Sequence, residues 1–227
     1  MAMEDWAMIT VRIDPSVAPH LRLAVVEAEG VSVSEDDAAL APEIEAVTGR
    51  LRAALAGRTP AEIPGLRPAR ELYHRIGVDP TKIRPSSEAL LRRVLRGEGL
   101  PRINSLVDLS NLCSLEFLLP IGLHDVDRLA GSVVTMRRGH PGEGYEAIGK
   151  GWYNVEGRLV AADAQGACGS PTSDSRRTMI TRDTRRCLML VYAPSDYAAA
   201  RLEAHAAAAA ERLRRVAGGT VVQARVL

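Results

Sequence analysis

The stretch Leu100–Gly131, LPRINSLVDLSNLCSLEFLLPIGLHDVDRLAG, carries more polar groups than an ordinary packed helix needs. Asp108, Ser110, Asn111 and Glu116 stand among Leu106, Val107, Leu109, Leu112, Leu115 and Phe117. The pattern predicts a helix over about 105–119. Polar groups drawn into the packing of such a helix must find hydrogen-bond partners, so they define one particular packing or a site. A Pro-Ile-Gly turn follows at Pro120–Gly122, then His124, Asp125 and Asp127. His124 with a carboxylate such as Asp125 can activate water for ester hydrolysis. The plainer alternative is that Asp125 and Asp127 cap the next element and that His124 is a structural histidine.

Around this stretch the chain reads as strands, then helices, then strands. Ile9–Ile13 and Leu21–Glu27 have strand character on either side of an Asp14-Pro15 turn, and Val31–Val33 is a third short candidate. Ala41–Leu55, Ala69–Ile76 and Ala89–Arg96 have helical spacing or helix-stop glycines, with Ser86 or Ser87 available as a cap. Val133–Arg137, Tyr145–Ile148, Arg158–Ala162, Thr178–Ile180 and Leu188–Tyr192 are strand candidates. An Ala-rich helix is expected over Ser195–Val216, with Ser195 as its cap, followed by an edge strand at Thr220–Val226. This order predicts an α+β fold rather than alternating βαβ units. The expected organisation is one domain over 1–227, with an acidic segment 1–66 and a C-terminal helix and strand over 196–227.

The formal net charge of +1 conceals an asymmetry. Residues 1–66 hold 5 basic and 11 acidic side chains, whereas 67–102 hold 9 basic and 4 acidic. The basic segment suits a phosphate backbone or, more plainly, amphipathic helices beside an acidic neighbour. A second basic run includes Arg137, Arg138, Arg176 and Arg177. These arginines and Arg102 are candidate RNA contacts, or cations that discourage edge pairing. Cys113, Cys168 and Cys187 lie far apart with no CxxC spacing, which points to neither a zinc site nor a disulfide scaffold. No phosphate-binding loop or nucleophile motif is present, so no cofactor or metal is expected. The acidic start and the lack of a long apolar run predict a cytoplasmic protein without a membrane span.

Arg102-Ile103-Asn104, Val107-Asp108-Leu109-Ser110-Asn111, Glu116, Pro120, Asp125, Asp127-Arg128-Leu129 and Gly131 stand together in a recognisable pattern. It resembles the start of the B3/B4 domain of the phenylalanyl-tRNA synthetase β subunit. Arg158–Asp163 and a Gly166–Gly169 turn fit the same domain more loosely, and the resemblance covers roughly 65–195. No other synthetase part is recognisable, so the chain looks like a free-standing B3/B4-like protein.

The resemblance implies antiparallel sheets flanked by helices near a small barrel-like core. It also implies a pocket that hydrolyses tyrosine wrongly attached to tRNA. Ser110 and Asn111 fall where bacterial relatives usually carry a Thr-Asn pair at that pocket. Gly122 falls where they carry a His, and no Glu stands near Ser170–Thr172, with Asp174 the nearest carboxylate. A site lacking a partner for the phenolic hydroxyl loses most of its selectivity for tyrosine. Two functions follow as expectations. One is a trans-acting hydrolase of mischarged aminoacyl-tRNA, with His124 and Asp125 catalytic and with Asn104, Ser110, Asn111, Asp174 and Ser175 binding the amino acid moiety. The other is a non-catalytic module that binds RNA or an amino acid.

Overall fold

The computed structural model describes residues 8–35 and 38–227. The first strand, β1 (Thr10–Ile13), is followed by β2 (Leu21–Glu29) and by helices α1 (Leu40–Leu55), α2 (Arg67–Arg75), α3 (Ser86–Leu95) and α4 (Ser105–Phe117). Eight strands follow: β3 (Ile121–Asp125), β4 (Val133–Arg138), β5 (Gly144–Ala147), β6 (Gly151–Asn154), β7 (Leu159–Asp163), β8 (Gly166–Ser170), β9 (Ser173–Asp174) and β10 (Arg186–Pro194). Helix α5 (Ala199–Ala217) and β11 (Thr220–Val226) close the described chain.

The fold is α+β, built in three layers around a four-stranded antiparallel sheet, β11-β2-β10-β3. Every residue of β10 is buried, as a central strand covered on both faces requires. Its alternate side chains serve two cores. Met189 and Val191, with Val26 of β2, meet Leu109 and Leu112 of α4 and Leu202 and Leu213 of α5. Leu188, Leu190 and Tyr192, with Leu23 and Val25, meet Val134, Met136 and Leu159 of a five-stranded sheet and Leu72 and Tyr73 of α2. That second sheet runs β1-β4-β7-β8-β9, with β1 and β4 parallel and the other pairs antiparallel. β5 and β6 form a separate hairpin. The sheets stay open, so the barrel-like core expected from the resemblance is replaced by two stacked sheets.

Several local expectations change. Val31–Val33 and Thr178–Ile180 are not strands, whereas Gly166–Gly169, read as a turn, lies within β8 (Gly166–Ser170). Pro120–Gly122 is not a free turn: β3 begins at Ile121 and pairs with β10. The reversal comes earlier, at Leu118, which caps α4 with φ 56°, in the left-handed region. Helix α5 starts at Ala199, because the Ser195 hydroxyl donates to Pro19 O instead of capping. The acidic first segment joins the core beside α4: Leu40, Ile44 and Val47 of α1 pack there. Arg212 of α5 ties Glu43 of α1 to Glu116 of α4. Met1, Met3 and Trp6 lie outside the described residues.

The arginines of 67–102 are engaged with carboxylates. Arg70, Arg84 and Arg92 converge on the buried Glu88 of α3. Arg67 pairs with Glu71, Arg75 with Asp196, and Arg93 and Arg96 with Glu98. The helices are amphipathic, but these ion pairs are made with Glu71, Glu88, Glu98 and Asp196 rather than with the acidic segment 1–66.

Candidate functional site

Because β3 is an edge strand, its alternation decides which side chains can reach a site. Ile121 and Leu123 are in register with Val191 and Met189 and face the helical layer. Gly122 and His124 are in register with Leu190 and Leu188 and face the second sheet. A cavity of about 390 Å³ opens on the helical side of this edge. Its walls are the N-terminal half of α4, Ile121 and Leu123 of β3, and the segment Ser170–Asp174 that joins β8 to β9. Ile103 and Ile148, both exposed, also line it.

Asn104, Ser110 and Asn111 all line this cavity. Asn104 is first of all the N-cap of α4, its side chain accepting from Val107 N at 3.0 Å. Asp108 accepts from Ile103 N and pairs with Arg102 at 2.8 Å, which fixes the loop entering the helix. Ser114 donates to Leu119 O and closes the other end. Ser110 and Asn111 are different: neither side chain is tied to another described residue. They project polar groups into a cavity whose remaining wall is largely apolar.

The facing wall is held by three tyrosines. Tyr73 of α2 donates to Pro171 O at 2.6 Å, Tyr145 of β5 to Ser173 O at 2.5 Å, and Tyr153 of β6 bonds Thr172 Oγ1 at 2.8 Å. Ser170 Oγ accepts from the backbone N–H groups of Thr172 and Ser173. This pinning aims Asp174 at the cavity floor. Its Oδ2 accepts from Leu123 N at 3.3 Å, and its Oδ1 is buried without a partner. Part of the residue meets solvent, but Oδ1 does not. Burial, countered by the Leu123 bond and the Lys150 charge, raises the Asp174 carboxyl to about pKa 7.

The expected catalytic pair stands elsewhere. His124 is fully buried between the sheets, Nδ1 bonded to Thr178 Oγ1 at 3.0 Å, and it does not line the cavity. Burial lowers its pKa to about 4, so it is neutral at physiological pH. Asp125 accepts from Asp127 N and from the Thr184 hydroxyl, capping the short turn Val126–Arg128. Strand alternation turns His124 to the opposite face from Leu123, whereas Asp125 shares the face of Leu123 but stands past the cavity at the end of β3, held by the turn it caps and by Thr184. Ser175 is also off the cavity; its hydroxyl accepts from Arg177 N.

Of the candidate RNA contacts, Arg137 is held by Glu143 and Arg177 by Asp163, each through two bonds. Arg102 pairs with Asp108 and Arg138 donates to Gly157 O. Arg176, two residues past Asp174, is exposed. Lys150, which donates to Thr172 O, is also exposed at the cavity wall. Among the described residues no group of three or more His, Cys, Asp or Glu could hold a metal ion, and no helix is long and apolar enough to cross a membrane.

The profile of the B3/4 domain matches residues 68–224, which include every wall of the cavity. The chain belongs to the B3/4 domain family. It is 37% identical over 114 residues to the phenylalanine–tRNA ligase β subunit of Moorella thermoacetica, covering 46% of this chain and 14% of that protein. It is 27% identical over 165 residues to the same subunit of Neisseria meningitidis serogroup B, covering 71% of this chain and 20% of that one. The chain thus spans a fifth or less of these curated relatives. An N-terminal fragment of the phenylalanyl-tRNA synthetase β subunit from Pyrococcus horikoshii superposes with a TM-score of 0.49 at 13% identity, over 96% of this chain and 52% of that one.

Sequence reading missed the three tyrosines and the apolar pair Ile103 and Ile148, which come from elements separated along the chain. The alternating pattern of Tyr145–Ile148 was the available signal for one of them.

Proposed function

We propose that this B3/4 domain receives the aminoacyl end of a charged tRNA in the cavity between α4 and the Ser170–Asp174 segment, and that the ester is hydrolysed there. The observation that carries this reading is the pairing of untied Ser110 and Asn111 on one wall with Asp174 on the floor. Ser110 and Asn111 supply a donor and acceptors for the α-amino and carbonyl groups. Asp174 takes the place of His124 and Asp125 in this proposal. It titrates near the working pH, where a carboxylate is most useful as a general base toward water. An aminoacyl ester is already activated, so positioning with one base is sufficient chemistry. Arg176 and Lys150 are proposed to meet the phosphates of the acceptor end.

A second reading, binding of the aminoacyl end without hydrolysis, draws support from the neutral, buried His124, which stands off the cavity, and from Gly122, which puts no titratable side chain where the resemblance implies a His. Deacylation of a panel of misacylated tRNAs separates the two. Hydrolysis by the wild type and its loss in Asp174→Asn support the first reading. Binding of charged tRNA with no hydrolysis of any member supports the second.

A further inference from the structure

Behind the cavity floor, three buried side-chain atoms without a hydrogen-bond partner gather around two glycines. They are Asp174 Oδ1, Tyr192 Oη and His124 Nε2. A β-carbon on Gly122 would stand 2.9 Å from Tyr192 Oη and 3.3 Å from Asp174 Oδ1. One on Gly169 would stand 3.1 Å from His124 Nε2 and 3.3 Å from Asp174 Oδ1, and only 2.5 Å from His124 Cε1. Asp174 Oδ1 therefore borders both gaps, and only glycine at each position leaves room for the three atoms to share.

The donor and acceptor roles are fixed by the bonds around them. Cys168 O can only accept, so the Thr178 hydroxyl donates its proton there, at 3.1 Å. Thr178 Oγ1 must then accept from His124 Nδ1–H. His124 Nε2 is left as a bare acceptor. Tyr192, whose pKa burial raises, remains a phenol and a donor. Asp174 stands between one donor that favours its carboxylate and one acceptor that favours its acid form.

We infer that Tyr192 and His124 are positioning residues that hold Asp174 between its acid and carboxylate forms, so that the charge the cavity shows an aminoacyl group is set from the face between the sheets. This rests on reading the cavity as an aminoacyl site. The carboxylate attracts an α-ammonium group and takes a proton from water; the acid does neither. The other titratable groups around Asp174 are Lys150, whose charge favours the carboxylate, and Cys168, Tyr145 and Tyr73, which are neutral because burial raises their pKa values. Tyr153 lies beyond Thr172, and the Asp163–Arg177 pair faces His124 with opposing effects.

Infrared titration of the carboxylic-acid stretch in the full chain tests this, with Asp174→Asn identifying the band. The wild-type band disappears with a midpoint near pH 7. Tyr192→Phe, which removes one oxygen, moves the midpoint up by about one pH unit, and His124→Leu moves it down. The pH profile of deacylation moves with the midpoint in Tyr192→Phe. A wild-type midpoint in the ordinary aspartate range, or two variants shifting the same way, overturns the inference. Should His124→Leu not fold, an unmoved midpoint in Tyr192→Phe overturns it alone. The titration is independent of hydrolysis: a cluster behaving as stated with no tRNA hydrolysed rejects catalysis at the cavity and keeps the inference for a site that only binds the aminoacyl group.

Discussion

The two most polar-rich helical regions of this chain differ in what the fold does with their polar groups. In α2, α3 and the loops around them, arginine after arginine meets a carboxylate, and Glu88 alone collects three. In α4, Asn104, Asp108 and Ser114 are spent on capping and closing the helix, while Ser110 and Asn111 are left facing a cavity. Abundance of charge marked the first region, yet its charges are structural. Two small uncharged side chains mark the second. What separates structure from site is whether the hydrogen-bonding capacity is already satisfied within the fold.

The comparison breaks most visibly at Asp174. Asp174→Asn lowers single-turnover deacylation by about 100-fold or more, the scale of losing a general base, while leaving the fold intact. Rates measured across the tRNA panel check this; an unchanged rate removes Asp174 from the chemistry. Asn111→Ala, at the untied wall, costs about 10-fold, read from the same rates, if it makes one hydrogen bond to the aminoacyl group.

Glu88→Gln tests the structural region. It leaves three guanidinium groups around a buried neutral amide and destabilises the protein by about 2–3 kcal/mol, discounted for the partly exposed arginines. Urea unfolding measures this, and the deacylation rate per folded molecule stays the same. Equal loss of activity in the folded fraction would show that the two regions are not separable.

The pH dependence of stability sharpens the comparison further. The His124 pKa is lowered to about 4 in the fold from an ordinary value of 6.5, so the protein binds fewer protons there than the unfolded chain. Its contribution is present above about pH 6.5 and is lost as pH falls toward 4. Asp174 is raised to about 7 from an ordinary value of 3.8, so it acts oppositely: its burial destabilises the fold increasingly as pH rises from about 4 to 7. Asp174→Asn therefore raises the melting temperature at pH 8 more than at pH 5. A uniform shift at both pH values would contradict the buried, titrating carboxyl. The smallest effect is expected from Arg67, Arg93 and Arg96. Replacing them with Gln changes tRNA affinity less than twofold, whereas Arg176→Gln with Lys150→Gln lowers it and flattens the salt dependence of binding by about two phosphate contacts.

Much of the fold was legible because alternation and helix spacing are local. β1, β2, β4, β10, β11 and α1 to α5 lie within a few residues of their expected places. The helix with its cavity-facing Ser110 and Asn111 was legible for the same reason. What failed was orientation across strand pairs. Nothing local says that Ile121 begins an edge strand rather than a turn, and that single fact sends His124 to the inter-sheet core while Leu123 faces the cavity. Nor can spacing reveal that Tyr73, some hundred residues before Pro171, pins the segment that aims Asp174. Both depend on long-range pairing, which leaves no periodic trace in a sequence.

The central claim is that the cavity between α4 and the Ser170–Asp174 segment holds an aminoacyl group. Backbone amide shifts measured by NMR during titration with a non-hydrolysable 3′-aminoacylamino-adenosine test it without requiring catalysis. The account predicts saturable shifts concentrated at Ser110, Asn111, Leu123, Thr172 and Asp174, weakened in Asn111→Ala. Shifts confined to other surfaces, or none at millimolar ligand across a set of aminoacyl groups, would contradict it.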